Sequence, residues 1–145
     1  MSWLYENKVV EKTEDFPEGT FGYVYRITNL VNDKSYIGKK QLLSKINKKL
    51  GKKEIAALPT QRGRTPSTKL IISESNWLTY WGSCKPLLND VKSLGEDKFK
   101  REILTICKTK KQLTYYEVMH QVKEDVLFIE SYNDNILAKF HRRDF

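Results

Sequence analysis

Cysteine is scarce in this sequence, and that scarcity excludes two classes of small protein. The 145 residues contain only Cys84 and Cys107, which are too few for a disulfide framework. No histidine or further cysteine lies near either of them at the spacing of a zinc finger. We therefore expect two ordinary thiols in a reducing cytoplasm.

Long apolar runs are also missing. No stretch approaches the roughly 18 consecutive apolar residues that span a bilayer. The opening segment MSWLYENKVVEKTED has acidic residues where a signal peptide has its apolar core. We therefore expect no membrane partner and a cytoplasmic location. The apolar content of 39% with 12% aromatics is ordinary for a folded domain, which excludes wholesale disorder.

Negative charge is in short supply, and the imbalance is local. The chain has 26 Lys and Arg against 18 Asp and Glu, a formal net charge of +8. Between residues 39 and 70 the only acid is Glu54. The cations of this segment are Lys39, Lys40, Lys45, Lys48, Lys49, Lys52, Lys53, Arg62, Arg64 and Lys69. Such a cluster predicts binding to a polyanion, because cations near phosphates release condensed counterions.

The first half of the chain shows one clear strand pattern and one helical pattern. Residues 1–20 lack a period and end in PEGTFG, which predicts a loosely packed N-terminal arm. The segments GYVYRIT and SYIG, separated by turn residues, predict a β-hairpin. KKQLLSKINKKL then places its apolar residues at helical spacing and predicts a short amphipathic helix. The stretch at about 51–75 contains two prolines and no sustained period, so we expect a basic loop there.

The second half predicts a helix, a strand and a longer helix. The first helix is expected from an N-cap at Ser83 to a stop at Gly95, and the strand is FKREILTI. Thr109 and Gln112 have the form of a capping box and open a helix toward Leu127. Its apolar stripe is predicted at Tyr115, Val118, Met119, Val122 and Val126. This order predicts an α/β (α+β) fold, in which helices flank a small three-stranded, mainly antiparallel sheet and residues 21–145 form one domain.

Two tripeptides in the predicted hairpin resemble the pair that names the GIY-YIG endonucleases. Tyr36-Ile37-Gly38 matches the second tripeptide fully. Tyr23-Val24-Tyr25 is a variant of the first, because Tyr23 stands where the family usually has glycine. The segment WLTYWGS, from Trp77, is similar to a sequence in stand-alone members encoded by bacteriophages. The resemblance covers roughly residues 21–143.

The resemblance implies a metal-dependent nuclease that cuts or nicks double-stranded DNA. By this likeness Tyr25 is the general base for water, and Tyr36 forms a hydrogen bond beside it. Glu117, on the long helix, holds Mg²⁺ or Mn²⁺. Asn133 contacts or orients the phosphate or the glutamate. If a phage encodes the chain, the expected location is the host cytoplasm.

One expected cation is missing. Family members carry a catalytic arginine eight places after the glycine of the second tripeptide, and this chain has Ile46 there. Lys45 or Lys48 can replace it, or an arginine of the basic segment, Arg62 or Arg64. Phosphate contacts along DNA are expected from Lys48, Lys49, Lys52, Lys53, Arg62 and Arg64.

Lys39 and Lys40 directly follow the second tripeptide. A free tyrosine has a pKa of about 10, so a nearby cation must favour the phenolate before tyrosine can accept a proton. Adjacent strand residues point in opposite directions, so we expect one of these lysines to face the site and the other to face solvent.

Two alternatives remain open at this level. The first alternative to a nuclease is a catalytically inactive nucleic-acid-binding protein that retains the fold without the arginine. The second is a basic interaction protein unrelated to the family, in which Tyr25 and Tyr36 are simply cross-strand aromatics and Glu117 is a surface residue. Self-association is a further possibility that would extend the contact with DNA.

Overall fold

The computed structural model describes residues 2–57 and 68–145, without the side chains of Lys45 and Ile46. The strands are β1 (Trp3–Tyr5), β2 (Lys8–Val10), β3 (Gly22–Asn29), β4 (Ser35–Gln41), β5 (Leu43–Lys49), β6 (Thr68–Glu74), β7 (Phe99–Cys107), β8 (Asn135–Ile136) and β9 (Phe140–His141). The helices are α1 (Lys52–Ala56), α2 (Lys85–Leu94) and α3 (Lys110–Lys123). The chain divides into two compact units, Met1–Leu42 with Asn76–Phe145, and Leu43–Ser75.

The main sheet is larger than the three strands predicted. Within the described residues it has five strands in the order β2-β1-β7-β3-β4. The pairing of β1 with β7 is parallel, and the other neighbours are antiparallel. The three expected strands, β3, β4 and β7, lie side by side as predicted, and the two extra strands come from the N-terminal residues.

The prediction of a loosely packed arm over residues 1–20 is therefore wrong for its first half. Trp3 is fully buried, and its indole Nε1 donates a hydrogen bond to the carbonyl of Trp77 at 2.8 Å. The strands β1 and β2 are three residues each, which is too short to show an alternation in the sequence. These two strands form because β1 pairs with β7 on one side and with β2 on the other.

The hairpin of β3 and β4 forms as predicted, with Tyr25 opposite Gly38. Alternation along β3 separates two cores. Tyr23 and Tyr25 belong to an aromatic cluster with Trp3 and Trp77. Val24, the residue between them, packs in a second cluster with Ile37, Leu113 and Val126, to which α3 contributes.

The helix predicted from residues 39–50 is wrong. Residues up to Gln41 extend β4, and Leu43–Lys49 form β5, which pairs antiparallel with β6. The basic loop predicted at about 51–75 is also wrong in part, since α1 and β6 lie within it. The sequence KLIIS of β6 is rich in β-branched residues, and strand pairing overrides the helical spacing of β5. We call β5 and β6 together the basic ribbon.

The elements of the second half match the prediction except at their ends. The helix α2 stops at Gly95, whose φ of 96° suits glycine, but its N-cap is Cys84 and not Ser83. The strand β7 has the predicted position. The Thr109 hydroxyl caps α3 by accepting a hydrogen bond from the Gln112 amide at 3.1 Å. That helix ends at Lys123, before Leu127.

The apolar stripe predicted for α3 is wrong in part: Val118 packs against the second core cluster and Val126, beyond the end of the helix, is buried in it, but two of the other residues are exposed. Tyr115 is 66% exposed and Val122 is 58% exposed, whereas the buried residues of the helix are Leu113 and Gln121. The buried face therefore includes polar side chains, which a pattern of apolar residues does not reveal. No helix in the described part of the chain is long and apolar enough to cross a membrane.

Candidate active site

The edge strand β4 directs its side chains to opposite faces of the sheet. The Tyr36 ring lies 6.2 Å from the ring of Tyr25, centroid to centroid, on the side of the aromatic cluster. Three residues further along, Lys39 turns toward α3, where its Nζ donates a hydrogen bond to Thr114 Oγ1 at 3.1 Å. Its neighbour Lys40 faces the other way.

A pocket of about 400 Å³ lies where β4, α3 and the segment before β8 meet. Tyr36 and Lys39 come from β4, and Glu117 and Gln121 come from α3. Ser83 and Asn133 complete this part of its wall. The lining of the pocket thus includes a phenol, an ammonium group and a carboxylate.

Glu117 is a carboxylate that the fold leaves incompletely neutralised. Its side chain is 15% exposed, and Lys39 Nζ is 4.0 Å from its Oε1. Burial raises the pKa of Glu117, while the charge of Lys39 acts in the opposite direction. A half-dehydrated carboxylate with a distant counter-ion is suited to receive a further cation.

Tyr36 is the tyrosine that contributes to this pocket from β4. Burial raises the pKa of its phenol, and a hydrogen bond with the Ser83 side chain lowers it. The charge of Glu117 also raises the pKa of Tyr36, because a nearby carboxylate disfavours the phenolate. The carboxylate and the phenol are therefore close enough to influence each other.

Tyr25 lies deeper, in the aromatic cluster. It is 1% exposed, and its ring lies 5.3 Å from Trp3 and 6.0 Å from Tyr80. Burial raises the pKa of Tyr25 well above its ordinary value of 10.0. A Cβ on Gly38 would come within 2.5 Å of the Tyr25 hydroxyl oxygen, so only glycine leaves room for this phenol at the sheet edge.

Asn133 holds the middle residue of the second tripeptide. Its Oδ1 accepts a hydrogen bond from the Ile37 amide at 2.9 Å, and its Nδ2 donates to the Ile37 carbonyl at 2.9 Å. Asn133 is 4% exposed. Both ends of its amide are engaged by one residue of β4, which favours a role in orienting that strand over direct contact with phosphate.

Gln121 was not predicted from the sequence. Its Nε2 donates to the same Ile37 carbonyl at 3.0 Å. The available signal was its spacing, four residues after Glu117 and eight after Leu113, which places all three on one face of α3. Arg142 was not predicted at the site either, and its Nε donates to the Asn133 carbonyl at 2.9 Å.

The other predicted cations lie in different settings. Lys40 donates to Asn76 Oδ1 at 2.6 Å, and its Nζ lies 4.2 Å from the centroid of the Tyr80 ring. Burial lowers the pKa of Lys40. The side chain of Lys45, and Arg62 and Arg64, lie outside the described residues. The exposed cations of the second compact unit include Lys48, Lys49, Lys52 and Lys53.

The family model described as "Putative endonuclease segE, GIY-YIG domain" matches residues 3–138. The chain belongs to the GIY-YIG endonuclease family. Comparison with curated proteins gave no match, and comparison with solved structures gave none. The GIY-YIG match begins at Trp3, so it includes β1 and β2 as well as the hairpin. It also extends past Asn133 and thus contains Tyr36, Glu117 and the rest of the pocket.

The residues of this GIY-YIG pocket fit one hard divalent cation. Glu117 supplies a carboxylate oxygen, and Mg²⁺ is commonly held by one or two carboxylates with waters and substrate phosphates. Among the described residues, no group of three or more His, Cys, Asp or Glu side chains is placed to hold a metal. The donor set therefore suits an ion whose coordination is completed by substrate, and does not suit a closed structural site.

Proposed function

We propose that this chain is an endonuclease that hydrolyses phosphodiester bonds of double-stranded DNA with a divalent cation, Mg²⁺ or Mn²⁺, held by Glu117. The observation that carries the proposal is that Tyr36, Lys39 and Glu117 line the same pocket. The likeness to stand-alone phage-encoded members supports a free-standing enzyme of the homing or host-DNA-degrading kind.

Hydrolysis of a phosphodiester requires activation of water, neutralisation of charge on the phosphate and stabilisation of the departing oxyanion. A divalent cation bound at Glu117 would polarise a phosphate oxygen and generate a nucleophile at neutral pH. The protein's own part is to supply the carboxylate, to exclude bulk water through the half-buried walls, and to orient the phosphate.

Lys39 is the best-supported replacement for the missing arginine. Among the described residues it is the lysine that lines the pocket, and its Nζ is 4.0 Å from Glu117 Oε1. An ammonium group there offsets the charge that builds up on the phosphate in the transition state. Arginine offers two parallel hydrogen bonds where lysine offers a point charge, so a lower rate than that of arginine-containing members is expected.

A tyrosine is proposed as the general base, and the geometry favours Tyr36 over Tyr25. The family likeness gives this role to Tyr25, but its hydroxyl is buried and its pKa is strongly raised. Tyr36 lines the pocket together with Glu117. Its pKa is raised in the free protein, so Lys39 and the bound cation must favour the phenolate before it can take a proton from water. In this arrangement Tyr25 packs against the Tyr36 ring and helps to hold it in place.

The basic ribbon and α1 are proposed to contact the DNA backbone. Lys48 and Lys49 of β5 and Lys52 and Lys53 of α1 are exposed. In the ribbon, Lys48 lies directly opposite Lys69, and Glu54 offsets the charge of Lys69 through an ion pair at 2.7 Å. The exposed charge of Lys48, Lys49, Lys52 and Lys53 supports a polyanionic partner, because cations near phosphates release condensed counterions.

One observation favours the alternative, a binding protein that retains the fold without activity. Ile46 stands where the family carries its catalytic arginine, and Lys39 is a weaker substitute for phosphate recognition. Such a protein would bind DNA in a salt-dependent manner and would not cut it.

Nicking of supercoiled plasmid separates the two functions. We expect the wild-type protein to nick with Mg²⁺ and to stop when EDTA is added. Glu117→Gln, which keeps the shape of the side chain and removes its charge, should abolish nicking. Glu130→Gln is the matched control, because Glu130 is exposed and outside the pocket. Wild-type protein that binds plasmid but leaves it intact with either Mg²⁺ or Mn²⁺ would establish the inactive binding protein.

A further inference from the structure

The Gln121 side chain is buried with one of its two polar atoms unpaired. Gln121 is 5% exposed, and its Nε2 donates to the Ile37 carbonyl at 3.0 Å. Its Oε1 is buried without a hydrogen-bond partner among the described residues. A buried unpaired oxygen costs stability, and such an atom in a native structure calls for an explanation.

The Ile37 carbonyl fixes the orientation of this amide. Rotating the amide by half a turn would place Oε1 against the Ile37 carbonyl, where two acceptors would meet. The bond to Ile37 therefore obliges Oε1 to remain unpaired.

That bond is not required to satisfy Ile37. The same carbonyl already accepts a hydrogen bond from Asn133 Nδ2 at 2.9 Å. An apolar side chain at position 121 would leave neither Ile37 nor an oxygen of its own unpaired. Stability alone thus gives no reason for glutamine at this position.

Besides the ion pair of Lys39 with Glu117, two side-chain hydrogen bonds among the described residues tie α3 to β4, and Glu117 lies between them on the helix. On one side of Glu117, Thr114 accepts from Lys39 at 3.1 Å. On the other side, one turn of α3 further along, Gln121 reaches Ile37. The two ties therefore bracket the carboxylate and attach it to the strand that carries Tyr36 and Lys39.

We propose that Gln121 is a positioning residue for the hydrolytic site: it fixes α3 against β4 so that Glu117 stands at a set distance from Tyr36 and Lys39. This inference rests on the proposed endonuclease function. Gln121 acts through Glu117 and touches neither phosphate nor cation.

Gln121→Met tests this role, because methionine keeps the length of the side chain and removes both polar atoms. The readouts are the thermal midpoint, the affinity for Mn²⁺ measured by electron paramagnetic resonance without DNA, and kcat and KM on duplex DNA. We expect an unchanged or higher midpoint and an unchanged KM. The affinity for Mn²⁺ and kcat should each fall by about 10-fold to 100-fold, the usual loss when a residue that orients a metal ligand is removed. Gln112→Met is the control on the same helix, since Gln112 is exposed, and should leave kcat and the affinity for Mn²⁺ unchanged.

Gln121→Glu distinguishes positioning from direct binding of the cation. Glutamate cannot donate to Ile37 when ionised, so it should lower kcat as methionine does. Wild-type kcat together with tighter Mn²⁺ binding in Gln121→Glu would overturn the inference, because activity would then require an oxygen at this position and not the hydrogen bond to Ile37. A Gln121→Met protein with wild-type kcat, or with a midpoint that falls in step with kcat, would also overturn it while leaving the nuclease function intact. A wild-type protein that neither binds Mn²⁺ nor cuts DNA would overturn the proposed function and this inference together.

Discussion

The rings of Tyr25 and Tyr36 lie 6.2 Å apart, centroid to centroid, but Tyr25 is buried whereas Tyr36 is only half-buried. Tyr25 ends the first family tripeptide and Tyr36 begins the second, and the family resemblance assigns the role of general base to Tyr25. The structure buries Tyr25 among aromatic rings and places Tyr36 in the pocket. In the proposed mechanism, the general base is therefore Tyr36.

Paired Tyr→Phe substitutions test this ranking, because each removes only a hydroxyl. We expect Tyr36→Phe to lower kcat by about 100-fold or more, the usual contribution of a general base. Tyr25→Phe should lower kcat less, by about 10-fold or below, because it loses support beneath Tyr36 and not the base itself. Single-turnover cleavage of a short duplex at saturating Mg²⁺ measures both. A larger loss in Tyr25→Phe would return the role of base to Tyr25.

At the level of secondary structure, the sequence predicted the elements whose pattern is local. The hairpin, α2, β7 and the capped start of α3 were all visible as alternation, turn residues or capping residues. The strands β1, β2, β5 and β6 were missed because their structure depends on pairing with other segments. The buried face of α3 was missed because it is polar, with Glu117 and Gln121 on it. A stripe of apolar residues on a helix indicates a face packed in a core, whereas the face that lines a polar pocket carries polar residues and shows no such stripe.

The basic ribbon makes a prediction about salt. We expect Lys48→Gln combined with Lys49→Gln to weaken DNA binding and to reduce the slope of log Kd against log salt by about 0.9 for each phosphate that the variant no longer neutralises. Saturated kcat should be unchanged, since neither residue lines the pocket. Fluorescence anisotropy across a salt series measures the slope. The matched control is Lys92→Gln with Lys98→Gln, which removes the same charge from exposed positions near α2. A larger change of slope in the control would remove the ribbon from the DNA interface.

For the molecule as a whole, the site costs stability. The pKa of Glu117 is raised in the folded protein above its ordinary value of 4.5, mainly because burial disfavours the ionised carboxylate. For an acid with a raised pKa, the protonated form favours folding, and this contribution is lost as pH rises through the folded pKa. The ionised Glu117 therefore lowers the free energy of unfolding at neutral pH.

Glu117→Gln should accordingly be more stable than wild type at about pH 8, and the difference should shrink toward about pH 4, where the folded protein holds the carboxyl group protonated. Thermal unfolding of both proteins in the absence of divalent cations measures this. A variant that is less stable at the higher pH would show that Lys39 already compensates the charge in full. Added Mg²⁺ should raise the midpoint of wild type more than that of the variant, because a ligand that binds the native state stabilises it.

The parallel pairing of β1 with β7 also has a consequence for biosynthesis. Trp3 pairs with Arg101, and the Arg101 guanidinium lies 4.6 Å from the Trp3 ring and 4.2 Å from the Trp81 ring. The strand β1 therefore lacks its neighbour β7 until the residues around Arg101 have been translated. Contacts between such distant segments slow folding, and the Trp3 ring lacks its contact with Arg101 until β7 has been synthesised. The sheet can thus be completed only late in synthesis, and a chain cut short before β7 would leave β1 without this neighbour and prone to aggregation.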